Sequence, residues 1–298
     1  MTTYTGHSAD ALDLKGLRKD SSRPRDIFNI IMTGLSAFCM ILALVPLVLV
    51  LTYVFIQGSA SLTPALFFEL PPPPGLEGGG IANAIIGTLI VVAIAAIISV
   101  PFGVLAAVYL SEFSADGKVA QWVRFFTNVL SGVPSIISGV FVYALLVKSG
   151  LTGYSAVAGG VALSVLMLPT IIRTTDEALN IIPQEIRWAS IGVGSSRYQT
   201  VLQIVLPAAV PSILTGVTLA IARAAGETAP LIFTALFSPF WPQGLFEPIA
   251  TLSVLVYNFA IVPFRPQQEL AWAGSLILVL LVLLTSIIAR YVTSRKTY

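Results

Sequence analysis

Apolar residues run along this chain in blocks far longer than a helix needs to bury one face of itself in a globular core. Six blocks reach or approach the ~20 residues with which a helix crosses ~30 Å of hydrocarbon. They are approximately Ile27 to Phe55, Ile85 to Leu110, Phe125 to Val147, Ser155 to Ile172, Ala208 to Phe237 and Leu270 to Ile288. Membrane-spanning strands would show as segments of ~10 residues with alternating polarity, whereas these runs are continuous. The pattern therefore predicts an all-α polytopic membrane protein with six transmembrane helices, the fourth block being the shortest.

The polar stretches between the blocks differ in character. Residues 1–26 form a polar tail, and the first apolar run is too long for the core of a secretory signal, so it is expected to remain as a span over residues 27–57. Residues 58–80 carry four consecutive prolines, Pro71 to Pro74, then Gly78 to Gly80. That composition predicts a stiff, extended loop, either a docking surface or a spacer. Between Ser238 and Glu269 an apolar run from Pro248 to Val262 is too short to span and reads as a re-entrant or interfacial helix. Residues 291–298 form a second polar tail.

The longest polar interruption, residues 173–207, has a periodicity of its own. Ile186, Ala189, Val193, Val201, Ile204 and Val205 recur at helical spacing, giving two short helices broken at Gly192 to Ser196, where Gly192 and Gly194 permit a tight turn. Pro207 and Pro211 mark the return of the chain to the bilayer. An amphipathic helix of this kind seats either in a groove of a soluble partner or on the membrane surface alone.

Charge then orients the bundle. With the N-terminus in the cytoplasm, thirteen of the sixteen Lys and Arg residues fall inside and two, Lys148 and Arg265, outside, which predicts both termini in the cytoplasm. The remaining one, Arg223, lies within the fifth block together with Glu227, in the string ARAAGETAP. A charge at the bilayer centre costs ~2.5–3.5 kcal/mol on insertion scales, so this pair must face the bundle interior or a wet pathway. A mutual ion pair is one reading. Arg before Glu is the poorer order at this spacing, however, and one carboxylate occupies at most two of five guanidinium donors, which leaves donors for an anion. Arg173, at the end of the fourth block after Pro169, reads from position alone as a snorkelling anchor.

Composition narrows the chemistry further. Of the 298 residues 56% are hydrophobic and 10% charged, with mean hydropathy +0.90, which fits an integral membrane protein. One cysteine, Cys39, and one histidine, His7, allow no disulfide framework or metal cluster, and Cys39 reads as a small buried apolar residue. The chain has no GxxxxGK[ST] phosphate loop, so nucleotide hydrolysis would have to come from a partner.

Two resemblances follow. The spacing from Gly194 through Ile204 and Leu206 to Pro207 is similar to the G(x9)IxLP half of the "EAA" loop of ABC importer permeases. The chain departs from the first half of that motif, with Trp188, Ala189 and Ser190 where the family usually has Glu-Ala-Ala; Trp188 supplies aromatic contact area in place of the carboxylate. More closely, MLPTIIRTTDEAL, NIIPQEIRWASIGVG, TLAIARAAGETAPLIFTALFSPFW and QQELAWAGSLIL resemble the A-type permease subunits of bacterial phosphate ABC importers, as do GIANAIIGTL and SGVPSIISGVFVYALLV.

The resemblance implies a type I ABC importer permease fold, with a permease domain over residues 81–290 that includes the coupling loop 173–207. It implies a multi-pass protein of the bacterial cytoplasmic membrane, surrounded by lipid and with no nucleic acid as partner. Its expected partners are a C-type phosphate permease subunit, a dimer of ATP-binding subunits and an extracytoplasmic phosphate-binding protein. The chain would hold no cofactor and catalyse no chemistry, ATP and Mg being bound by the ATPase subunits. By the same resemblance Arg173, Arg223 and Glu227 belong to the substrate pathway, and Trp188, Ala189, Gly192, Gly194, Ile204, Leu206 and Pro207 to the ATPase-coupling loop. The rival readings are an ABC permease for another oxyanion or small solute, and an ion-coupled carrier that works alone.

Overall fold

A computed structural model describes residues 24–114 and 117–294. Of the expected tails, 1–26 and 291–298, residues 1–23 with His7 and residues 295–298 lie outside the described residues, while 24–26 and 291–294 are helical. The chain divides into two compact units, Met1–Tyr53 and Val54–Tyr298. In the first, the described residues are the greater part of helix α1 (Pro24–Ala60), whose large apolar side chains are exposed along its length. Cys39, expected to be buried, is exposed there. A helix that is apolar on every side suits lipid as well as a protein core, so apolarity alone could not place this thiol.

The second unit holds α2 (Ala65–Phe68), α3 (Ala82–Val108), α4 (Lys118–Gly132), α5 (Ser135–Val142), α6 (Ala156–Asn180), α7 (Gln184–Gly192), α8 (Arg197–Thr200), α9 (Leu206–Ala225), α10 (Ala229–Thr234), α11 (Leu252–Ile261) and α12 (Arg265–Ser294). Wider π-turns extend α3 over Tyr109–Phe113 and α5 over Tyr143–Val147, and Val201–Val205 joins α8 to α9. Room in this last turn suits Pro207, whose ring in a regular helix would strike the carbonyl four residues earlier. Among the described residues five helices are long and apolar enough to cross a membrane, and six spans result if the bent pair α4–α5 is one of them.

Three boundaries differ from the hydrophobic pattern, each for a local reason. The third block is two helices set at 107°. Val133, extended at φ −74° and ψ 128°, precedes Pro134, and a proline disfavours the helical region for the residue before it. The fourth span continues past Ile172 to Asn180, so Arg173 lies inside α6 rather than at its end. The fifth block stops at Ala225; Gly226 to Thr228 turn, and α10 follows. The expected short helix before the last span is present as α11.

Helix α6 is the centre of the second unit, packing on α3, α4, α5, α9 and α10. It approaches its neighbours through small residues, the usual device where lipid gives no hydrophobic drive for helix association. A Cβ at Gly160 would come 2.5 Å from Ile94 Cγ2 of α3, and one on Gly216 of α9 would come 2.2 Å from Thr174 Oγ1 of α6. Buried polar groups also join helices: the Thr88 hydroxyl donates to Ala84 O at 2.7 Å and accepts from the Leu252 amide at 2.8 Å, fixing the start of α11 on α3.

Gly87, one residue before Thr88, faces Ala250 O so closely that a Cβ would sit 1.9 Å from it. Gly87→Val should therefore abolish recovery of monodisperse protein in detergent, whereas Gly132→Val, with nothing within 4 Å, should leave it near wild type. Size-exclusion profiles of the two variants expressed side by side would show this.

Candidate translocation and coupling site

The polar interruption folds as the two-helix element its periodicity suggests, α7 and α8, separated at Val193 to Ser196. Gly194 takes φ +93°, a conformation that side chains with a Cβ avoid. Ser196 begins α8 with a reciprocal capping box to Gln199, and the Ser190 and Thr200 hydroxyls meet at 2.9 Å, tying the two helices together. The expected apolar stripe splits. Ile186, Ala189 and Val193 are exposed, as are Trp188, 67% accessible, and Ile191, Tyr198 and Leu202. Val201 and Val205 are buried, because the chain there has already entered the helical run that continues as α9.

Sequence reasoning missed the group that holds this element in place. Arg187, counted only as an inner-side charge, is 9% accessible, and Glu112, at the end of the α3 extension, is 6% accessible. They form a two-pronged pair: Nη2 donates to Oε1 at 2.6 Å and Nε to Oε2 at 3.1 Å. The remaining donors reach Leu179 O at 2.9 Å and Ile182 O at 2.6 Å, carbonyls at and just beyond the end of α6. Arg197 of α8 donates to Glu112 O and lies over the Phe113 ring, 5.5 Å from its centroid. The only sequence signal was an acidic residue closing a long apolar run, with a basic residue in the loop opposite.

Arg173 and Arg223, on different spans, line one cavity of about 220 Å³ with Leu130, Ser131, Val133, Leu166, Pro169, Thr170 and Thr174. No carboxylate is among these residues. Two of the hydroxyls are already committed as donors to their own helices, Ser131 to Thr127 O at 2.8 Å and Thr174 to Thr170 O at 2.9 Å. The guanidiniums are thus the cavity's cationic donors.

Arg223 sits in the last turn of α9, and Glu227 lies beyond its end. They still approach across the turn, Nε to Oε1 at 3.7 Å, an ion pair longer than a hydrogen bond. The Arg223 side chain remains 66% accessible and that of Glu227 only 18%. Glu227 is fixed from behind, its carbonyl accepting from the Ser253 hydroxyl of α11 at 2.8 Å. Arg173 has a closer partner that the sequence had not singled out, Glu177, with Nε to Oε1 at 3.1 Å.

Residues 99–298 match the family model "Binding-protein-dependent transport system inner membrane component". The chain belongs to this permease family. Within it, the chain falls among the PstA-type members. It is 40% identical over 289 residues to the "Phosphate transport system permease protein PstA" of Yersinia pestis, covering 97% of each chain. It is 41% identical over 272 residues to the protein of the same name from Haemophilus influenzae, covering 91% of this chain and 96% of that one. The fold is that of a bacterial alginate ABC transporter crystallised with an alginate pentasaccharide-bound periplasmic protein. That similarity has a TM-score of 0.63 at 15% identity, over 92% of this chain and 96% of the other.

Removing one partner of a buried ion pair costs ~3–5 kcal/mol, mostly because the other charge is stranded. Glu112→Leu should accordingly lower the melting temperature of the permease in detergent sharply. The double change Glu112→Leu with Arg187→Met should lose clearly less than the two single changes added together. A double-mutant cycle by thermal melting measures this.

Proposed function

We propose that the chain is the A-type permease subunit of an ATP-driven importer that moves inorganic phosphate into the cell. The observation that carries this reading is the cavity shared by Arg173 and Arg223, two guanidiniums with no carboxylate in the lining. Phosphate is strongly hydrated, and a permease must replace that water transiently; guanidinium offers paired donors that match phosphate oxygens. The names of the 40% and 41% identical relatives support the same cargo. Membership of a binding-protein-dependent family disfavours the stand-alone carrier, and the paired arginines favour an oxyanion over a neutral solute.

In this reading Arg173 and Arg223 contact the anion, and Glu227 steadies Arg223 without occupying all its donors. A C-type permease subunit completes the pathway, and a phosphate-binding protein delivers cargo on the outer side. A dimer of ATP-binding subunits, holding ATP and Mg, docks on the exposed face of α7 and α8, where Trp188, Ala189, Gly192 and Gly194 are all exposed. Both termini face the cytoplasm, as the excess of inner Lys and Arg favours. Ile204, Leu206 and Pro207 join the docking element to the start of α9, so displacement of one moves the other.

Two outcomes test the reading. Gly194→Val forces a β-branched residue to φ +93°, which costs roughly 1–2 kcal/mol locally and distorts the docking turn while leaving the spans alone. Membrane levels should persist while ATPase association and phosphate uptake fall together, measured by co-purification and by uptake in the same vesicles.

The second concerns Arg223. Arg223→Lys should retain part of the phosphate uptake, because it keeps the charge and loses only the planar fork, and Arg223→Gln should abolish it. If the pair with Glu227 were purely structural, the double change Arg223→Gln with Glu227→Gln would leave no stranded charge and would restore uptake. The expected result is an assembled complex that hydrolyses ATP and moves no phosphate.

A further inference from the structure

A second cavity, of about 210 Å³, lies beside the first and is lined by Leu110, Arg124, Thr127, Asn128, Ile172, Arg173, Asp176 and Glu177. Arg173 belongs to both linings. On α6 the lining shifts from residues 166–174 in the first cavity to 172–177 in the second, and on α4 from 130–133 to 124–128. At 1.5 Å of rise per residue the centres are displaced by roughly 6–8 Å along the helices. On both helices the shift is toward the end that carries the coupling element, since α6 leads into α7 and the α3 extension that grips Arg187 precedes α4.

The two cavities differ in charge. The first is lined by two guanidiniums whose carboxylate partners, Glu177 at 3.1 Å from Arg173 and Glu227 at 3.7 Å from Arg223, are not among its lining residues. The second presents two guanidiniums faced by two carboxylates, Arg173 with Glu177 at 3.1 Å and Arg124 with Asp176 at 3.6 Å. Arg124 also donates to Leu110 O at 3.3 Å. Asp176 Oδ1 is buried and accepts no hydrogen bond, with Arg124 Nη2 just beyond bonding distance. Arg124 thus lines the cavity beside a buried acceptor that its Nη2 does not reach within bonding distance.

We propose that the second cavity is an exit station for the transported anion, with Arg124 as the group that receives it from Arg173. This deepens the reading of the chain as a phosphate permease and rests on it. An anion held by Arg173 and Arg223 passes to Arg173 and Arg124 without a fully unliganded step, because Arg173 is common to both stations. In the second station the opposing carboxylates cancel much of the attraction, so the anion is held more weakly there. Closure of Arg124 on Asp176 then takes the place of the departing ligand. A descending series of sites lets binding be strong enough for entry and weak enough for exit.

The test uses the complex purified through a tag on this chain, reconstituted in vesicles and supplied with radiolabelled inorganic phosphate. Arg124→Gln should lower uptake per assembled complex at least about tenfold, while Arg124→Lys should stay within about threefold of wild type, since lysine still offers a charged donor. The neutral double change Arg124→Gln with Asp176→Asn leaves no stranded charge and serves if the single variant does not assemble. It should transport as poorly as Arg124→Gln.

Normal uptake by Arg124→Gln, or restored uptake in the double variant, would overturn the station and leave Arg124–Asp176 as a structural pair. If Arg223→Gln still loses uptake in that experiment, the phosphate reading stands without the station. If Arg223→Gln also transports normally, both fall.

Discussion

Arg187 must satisfy its guanidinium donors almost out of reach of water, and the way it does so joins three pieces of chain. Its carboxylate partner, Glu112, ends the α3 extension; its backbone acceptors lie at and just past the end of α6; its own helix is α7. A buried pair of this kind is weak evidence for net stability, because desolvating both charges offsets much of their attraction. It is strong evidence for geometry, since any displacement of α7 that breaks the pair strands two charges. The two-helix element is thereby clamped to the C-terminal ends of α3 and α6. Helix α6 in turn carries Arg173, so the clamp and the arginine cavity share one rigid rod of 25 residues.

The spans were legible in the sequence because lipid imposes a length and a composition that few other environments demand. The docking element was legible because its helical periodicity and the glycine at φ +93° are local properties. What stayed hidden was the pairing of residues distant in sequence. Glu112 and Arg187 are 75 residues apart, and nothing in either neighbourhood announces the other. The shared cavity was half visible: Arg223 stood out inside an apolar span, whereas Arg173 looked like an anchor until α6 was seen to run through it to Asn180. The bend in the third block could have been taken from Val133–Pro134, since the constraint a proline sets on the residue before it is local. The apolar count on both sides masked it.

The fold persists at 15% identity to an alginate transporter permease, so the architecture demands little of any particular side chain. Small residues where helices touch, apolar residues where they meet lipid, and a broken fifth span suffice for it. In the proposed pathway cargo selection falls to a few polar groups placed on that frame, and arginines of α4, α6 and α9 line the two cavities described.

In the proposed pathway, the termination of α9 at Ala225 bears on how long an anion stays beside Arg223. A helix ends with its unpaired carbonyls directed outward, equivalent to about half a negative charge. Arg223 lies in that last turn, so the negative pole repels whatever anion is brought up to the guanidinium, an effect of roughly 0.3–1 kcal/mol. Had the helix run on through Gly226, the pole would lie further off and an anion there would be held roughly two- to fivefold more tightly. Broken where it is, the helix favours a short residence time over a tight grip, which is what a site that must empty in every cycle requires.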